Sequence, residues 1–210
     1  MAEKTLIVAI TGASGAVYAQ RTVQLLVAAG IHVHLIVSPL GQRLLHDELG
    51  MEGTDLSALC GLQSRWRDLV SLHNPRDVGA PPASGSFHHD GMVIIPCSSN
   101  TLSAIAHGSA QHLIHRAAHV TLKERRRLVL VHREMPLSLV DIRNMEQATL
   151  AGAIIAPANP GFYMLPHTVT DLVDFVVGRV LDLLHIDHDL NIRWAPGRAQ
   201  PPRQADPTQR

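Results

Sequence analysis

The chain has 210 residues, 46% apolar and only 3% aromatic, enough for one domain with an aliphatic, alanine-rich core and a poor match to sandwich folds. Eighteen basic and eighteen acidic residues cancel, which removes any global electrostatic case for a nucleic-acid partner or an anionic membrane. Cys60 and Cys97 stand far apart and form no C-x-x-C pair, a pattern that points to reduced thiols in a cytoplasmic protein and excludes a structural zinc site made of cysteines.

"MAEKTLIVAI" runs into a turn with no small-residue cleavage site, and no apolar run approaches the ~18 residues of a membrane span. Strands are predicted at Thr5 to Ile10, Val33 to Val37, Met92 to Ile95, Leu128 to Val131 and Ala153 to Ala156. Helical periodicity places helices at Ala16 to Ala29, Leu40 to Leu49, Thr101 to His107, Ala110 to Leu122, Ser138 to Gly152 and Thr170 to Leu184. Strand and helix in alternation imply an α/β fold, a central parallel sheet wrapped on both faces, with its ligand site beyond the carboxyl ends of the strands. The rhythm breaks from Gly61 to Asp90, where the run "APPASGSF" predicts a structureless insertion serving as lid, binding loop or oligomer arm. A single domain is expected over 1–194, followed by a tail at 195–210, "APGRAQPPRQADPTQR", whose composition predicts disorder.

Two strand ends carry small polar turns. The first, "ITGASGA", holds Gly12, Ala13 and Ser14; it reads either as a tight turn or as a phosphate site built from backbone N–H groups at a helix start. It lacks the dinucleotide fingerprint and the Lys-Ser/Thr of a P-loop, and the second strand ends in Ser38-Pro39 where a dinucleotide site would place an acid. A mononucleotide such as FMN is favoured. The second turn, "PCSSNT", offers Ser98, Ser99, Asn100 and Thr101 as caps or as contacts to phosphate or flavin. Its Cys97 reads as buried packing, since no base is placed beside it.

Among the charged residues of "RAAHVTLKERRRLVLVHREMPL", Arg125 to Arg127 need no role beyond solvation. Arg133 and Glu134 just follow a strand, where a guanidinium suits phosphate oxygens and a carboxylate can move a proton. Tyr163 lies in a proline-bounded loop at the same edge; Arg179 is either functional or an i, i+3 partner of Asp182. His115 and His119 are spaced i, i+4 on a helix, but neither H-E-x-x-H nor a cysteine accompanies them, so no metal site is expected.

The motifs "TGASGA", "APPASGSF", "GMVIIPCSSNTLSAIAHG", "HRAAHVTLKERRRLVLVHREMPLS", "GAIIAPANPGFY" and "DLVDFVVGRVLD", in this order between Thr5 and Trp194, resemble the flavin prenyltransferases of the UbiX type, including the small subunits encoded beside phenolic acid decarboxylases. The resemblance implies a flavodoxin-like, Rossmann-like three-layer fold and a homo-oligomer, commonly a dodecamer, with sites at subunit junctions. It implies metal-independent transfer of a dimethylallyl group from dimethylallyl phosphate to N5 and C6 of reduced FMN. The product, prenylated FMN, would serve a UbiD-type decarboxylase. Matched residue by residue, it assigns Arg116, Lys123, Arg133, Glu134, Tyr163 and Arg179 to the dimethylallyl phosphate. Gly12, Ala13, Ser14, Ser38, Ser98, Ser99, Asn100, Thr101 and Arg133 are assigned to FMN, Glu134 and Lys123 to catalysis, and Ser14 and Glu48 to proton relay. The chain departs from the family at Ser99, where Met is common, at His119, where Asp is common, and at Asp141, where His is common. Two alternatives remain: a flavin-dependent cysteine decarboxylase, whose "PASANT" motif is similar to "PCSSNT", and a flavin carrier without turnover.

Overall fold

The structure, a computed structural model, describes residues 4–61, 65–190 and 192; the tail at 195–210 lies outside them. Strand β1 (Thr5–Ile10) sends Leu6, Val8 and Ile10 to one face and Ile7 and Ala9 to the other, all buried. The same division holds in β4 (Gly91–Cys97) and β5 (Leu128–His132). Strands covered on both faces have no polar side, which is why these three read as continuous apolar runs.

With β2 (His32–Val37), β3 (Val70–His73) and β6 (Ile154–Ile155) they form a parallel sheet of order β3-β2-β1-β4-β5-β6. Leaving out the short edge strand β3, the order is that of the flavodoxin-like sheet; including it gives the Rossmann order. On one face lie α1 (Ala16–Ala28), α2 (Pro39–Leu49), the short α3 (Leu56–Cys60) and α4 (Trp66–Leu69), and α8 (Val169–Leu183). The other face carries α5 (Ser99–Ala106), α6 (Leu113–Lys123) and α7 (Leu139–Leu150). Arg21 of α1 and Asp174 of α8 join in a two-pronged ion pair, 2.6 and 3.0 Å, that holds the last helix on the first.

The structure corrects the expected five strands to six, and the expected structureless insertion carries α4, β3 and a 3-10 turn within its described residues 65–90. The segment "VSLH" forms edge strand β3, and its exposed Ser71 and Leu72 hid it, because a four-residue edge strand carries no clear alternation. Pro81–Ala83 adds a 3-10 turn. The Arg126 guanidinium donates to the carbonyls of Gly85 (2.9 Å) and Phe87 (2.6 Å), so an arginine expected only to be solvated pins this segment beneath α6. Helix α6 begins at Leu113 instead of Ala110, and α5 begins at Ser99, two residues early, because Ser98 caps it.

Candidate active site

The chain leaves β1 toward one face of the sheet and β4 toward the other, so a crevice opens at their carboxyl ends, the position where open α/β sheets bind ligands. Both small polar turns lie there. Thr11, buried at the end of β1, joins them: its Oγ1 donates to the Pro96 carbonyl at 2.8 Å and accepts the Ser98 N–H at 2.9 Å. Sequence reasoning missed Thr11, although a hydroxyl at the last strand position before "GASG" was a usable signal. Ser38 caps α2 by accepting the Gly41 N–H at 2.9 Å, and only glycine fits at 41, because a Cβ there would stand 2.5 Å from the Ile10 carbonyl oxygen. Ser98 caps α5 through the Thr101 N–H at 3.3 Å and donates to Thr101 Oγ1 at 3.1 Å. The fold therefore brings Gly12, Ala13, Ser14, Ser38, Ser98, Ser99, Asn100 and Thr101 to one edge.

One expectation about this edge is corrected. The N–H groups at the start of α1 are not free for a phosphate: Glu48, from the end of α2, accepts Gly15 N–H at 3.0 and 3.2 Å and Ala16 N–H at 2.7 Å. A carboxylate already balances that helix terminus, and a phosphate dianion would meet it as a like charge. Glu48 does lie beside Ser14, but its contacts are those of a helix cap.

Arg133 and Glu134 emerge from β5 at the same edge. The Arg133 N–H donates to the Cys97 carbonyl at 3.3 Å, which sets the guanidinium's root against the "PCSSNT" turn. Its Nε is buried and finds no protein acceptor. A buried guanidinium N–H without an acceptor suits an anion, so the residues present fit a flavin mononucleotide. Glu134 is exposed and accepts the Met135 N–H through Oε1 at 3.1 Å. Cys97 is fully buried, and burial pushes its thiol well above the ordinary range, the state of a packing group and not of a nucleophile. The Ser99 hydroxyl turns inward to His132 Nε2 at 2.9 Å.

Arg116 and Lys123, two of the other expected anion contacts, do not join this group within one protomer. Lys123 ends α6 before β5, whereas Arg133 follows β5, whose five residues span roughly 16 Å at about 3.3 Å each. Lys123 instead meets Glu124, whose carboxyl it holds below the usual range through a hydrogen bond and its charge. Arg116, exposed two helical turns earlier on α6, faces the same way as Lys123. Arg179 lies ten residues into α8, roughly 15 Å along its axis at 1.5 Å per residue, and pairs with Asp182 at 3.0 Å. It borders a mostly apolar cavity of about 270 Å³ whose wall includes Ile154, Pro157, Phe175 and Leu183. Tyr163 stands on the Phe175 ring, edge to face at 5.6 Å, and is half exposed. The candidate residues thus sit on three parts of the fold: Arg133 and Glu134 past β5, Arg116 and Lys123 on α6, and Arg179 on α8 with Tyr163 against the Phe175 ring of the same helix.

Among the described residues no group of three or more His, Cys, Asp or Glu side chains is placed to hold a metal ion. His115 is fully buried, and its imidazole is pushed down to about 4, first by burial and then by the neighbouring His112 and His119. Of the positions that depart from the resemblance, Ser99 and Asp141 meet at one place in the fold, while His119 is half-buried on α6.

The fold and the polar crevice at the β1/β4 switch point define the class: a flavin-binding α/β protein. The sequence profile of the Flavoprotein family matches residues 1–181. The chain belongs to this family, within its UbiX-type flavin prenyltransferases. It is 46% identical over 192 residues to the flavin prenyltransferase UbiX of Halalkalibacterium halodurans, covering 91% of this chain and 93% of that one. With the enzyme of the same name from Pseudomonas aeruginosa it shares 44% identity, covering 89% and 91%. A crystal structure of AnUbiX in complex with FMN and dimethylallyl pyrophosphate superposes with a TM-score of 0.81 at 41% identity, covering 88% of this chain and 94% of that one. A dodecameric FMN-dependent UbiX-like decarboxylase from Escherichia coli O157:H7 gives 0.83 at 41% identity, covering 91% and 99%.

Proposed function

We propose that the protein is a flavin prenyltransferase that moves a dimethylallyl group from dimethylallyl phosphate to N5 and C6 of reduced FMN, releasing phosphate and yielding prenylated FMN. The observation that carries this reading is the buried, acceptor-free Arg133 Nε at the flavin edge, beside an exposed Glu134, in a chain over 40% identical to enzymes of that name. FMN, when bound, supplies the nucleophilic atoms. The protein's part is to cradle the flavin, hold the phosphate and manage protons.

Gly12, Ala13, Ser14, Ser38 and Ser98 to Thr101 line the flavin side, with Arg133 between flavin and phosphate. Arg116, Lys123, Tyr163 and Arg179 hold the phosphate by charge and hydrogen bonds, taking the place of a metal ion as the leaving anion forms. Glu134 exchanges a proton with the departing phosphate or at the second bond-forming step. Because Lys123 and Arg133 stand at opposite ends of β5 in one protomer, a complete site needs neighbouring copies, in keeping with the dodecameric relative. The product passes to a UbiD-type decarboxylase in the cytoplasm. No helix among the described residues is long and apolar enough to cross a membrane.

Subunit complementation tests this reading. Glu134→Gln and Lys123→Ala are each expected to abolish turnover while FMN still binds, and oligomers reassembled from a mixture of the two are expected to regain activity, since some junctions then hold both intact residues. Full activity in both single variants, or no recovery in well-mixed oligomers, would remove the shared-site assignment.

A further inference from the structure

Residues 133–137, which carry Arg133 and Glu134, are held at each end by a part-buried polar contact. At the start, His132, 2% exposed, meets Ser99 Oγ through Nε2 at 2.9 Å. At the finish, Ser138 donates its N–H (3.0 Å) and its hydroxyl (2.6 Å) to Asp141 Oδ2. The carboxyl of Asp141 is held below the usual range, first by Ser138 and then by Ser99. The hydroxyl can donate to the imidazole or accept from it, so the contact holds in either tautomer. Burial keeps His132 largely neutral against the raising influence of Asp141 and Glu134. Ser99 itself opens α5, inside the "PCSSNT" turn.

We propose that Ser99 and His132 form a hydrogen-bonded strut that fixes Arg133 and Glu134 relative to the β4–α5 flavin turn, so that flavin and phosphate contacts are set together. His132 is a positioning residue: it acts through Arg133 and Glu134. The proposal rests on the prenyltransferase reading for the phosphate half of its effect, while the flavin half stands on FMN binding alone.

A double-mutant cycle between Ser99→Ala and His132→Leu tests it, read by FMN affinity from fluorescence quenching and by KM for dimethylallyl phosphate, at one protomer concentration. Each single variant is expected to weaken FMN binding about tenfold, the usual effect of a lost buried hydrogen bond, and to raise KM with it. The double variant is expected to be no worse than either single one, because both remove the same link. His132→Gln, whose amide can reach the position of Nε2, should restore much of the loss; a purely space-filling role would favour Leu over Gln. Additive losses in the double variant, or FMN affinity unchanged by His132→Leu, would overturn the strut. If His132→Leu does not fold, Ser99→Ala crossed with His132→Ala, which also removes the link, decides between coupled and additive losses in the same way. Failure of prenyl transfer with a coupled FMN cycle would sink the activity and leave the strut, whereas intact transfer with an additive cycle would do the reverse.

Discussion

Glu48 allows the capping account to be tested quantitatively, because its carboxylate serves the N–H groups of two buried residues, Gly15 and Ala16, at 2.7 to 3.2 Å. Glu48→Ala strands both donors. A buried donor without a partner costs about 1–3 kcal/mol, and relief by water at this open edge brings the sum to about 3 kcal/mol. For a chain of this size that corresponds to a melting temperature lower by roughly 6–12 °C. Glu48→Gln keeps a carbonyl for one N–H and loses mainly the charge at the helix terminus, about 1 kcal/mol or roughly 2–4 °C. Differential scanning calorimetry at fixed protomer concentration separates the two, since an oligomer's melting point depends on concentration. Equal losses for Ala and Gln, or no shift in either, would refute the capping account. A pure proton relay at Glu48 would instead show Glu48→Gln inactive and thermally unchanged.

Removing the Thr11 hydroxyl in Thr11→Val leaves the Ser98 N–H and the Pro96 carbonyl without their link; we expect a loss of about 1–3 kcal/mol in urea unfolding and weaker FMN binding, and unchanged affinity would show that the link does not shape the cradle. Cys97→Ala should keep most of the activity, because the thiol is buried and its deprotonation suppressed, so an inactive variant that folds and binds FMN would contradict its role as packing. Acid should destabilise the fold through His34 and His115, both pushed down to about 4, first by burial. Unfolded imidazoles take up protons as the pH falls through about 6.5, so the unfolded state binds more protons, and stability that is full above that value is lost progressively down to about 4. Urea midpoints at pH 7.5 and 5 should show the loss, and His115→Leu should shrink it; a midpoint independent of pH would refute the assignment.

Much of the architecture was legible because β1, β4 and β5 are covered on both faces and the turns that follow β1 and β4 are built of small polar residues. Strand β3 was not, since four half-exposed edge residues carry no period. Within the site, local chemistry was legible: Ser98 as a cap at a strand end, Arg133 and Glu134 past β5, Cys97 as packing. Contacts between distant residues were not. Glu48 reaches Gly15 across 33 positions and Ser99 reaches His132 across another 33, and neither pairing leaves a periodic trace. The grouping of Arg116 with Lys123, away from Arg133, follows from where α6 and β5 begin and end, which motif order does not reveal.

The central claim is tested most directly by incubating the purified protein anaerobically with reduced FMN and dimethylallyl phosphate and weighing the bound flavin by mass spectrometry. The account predicts FMN carrying one dimethylallyl unit, with release of one phosphate. Unmodified FMN, from protein that binds the flavin under those conditions, would contradict it and leave a flavin carrier.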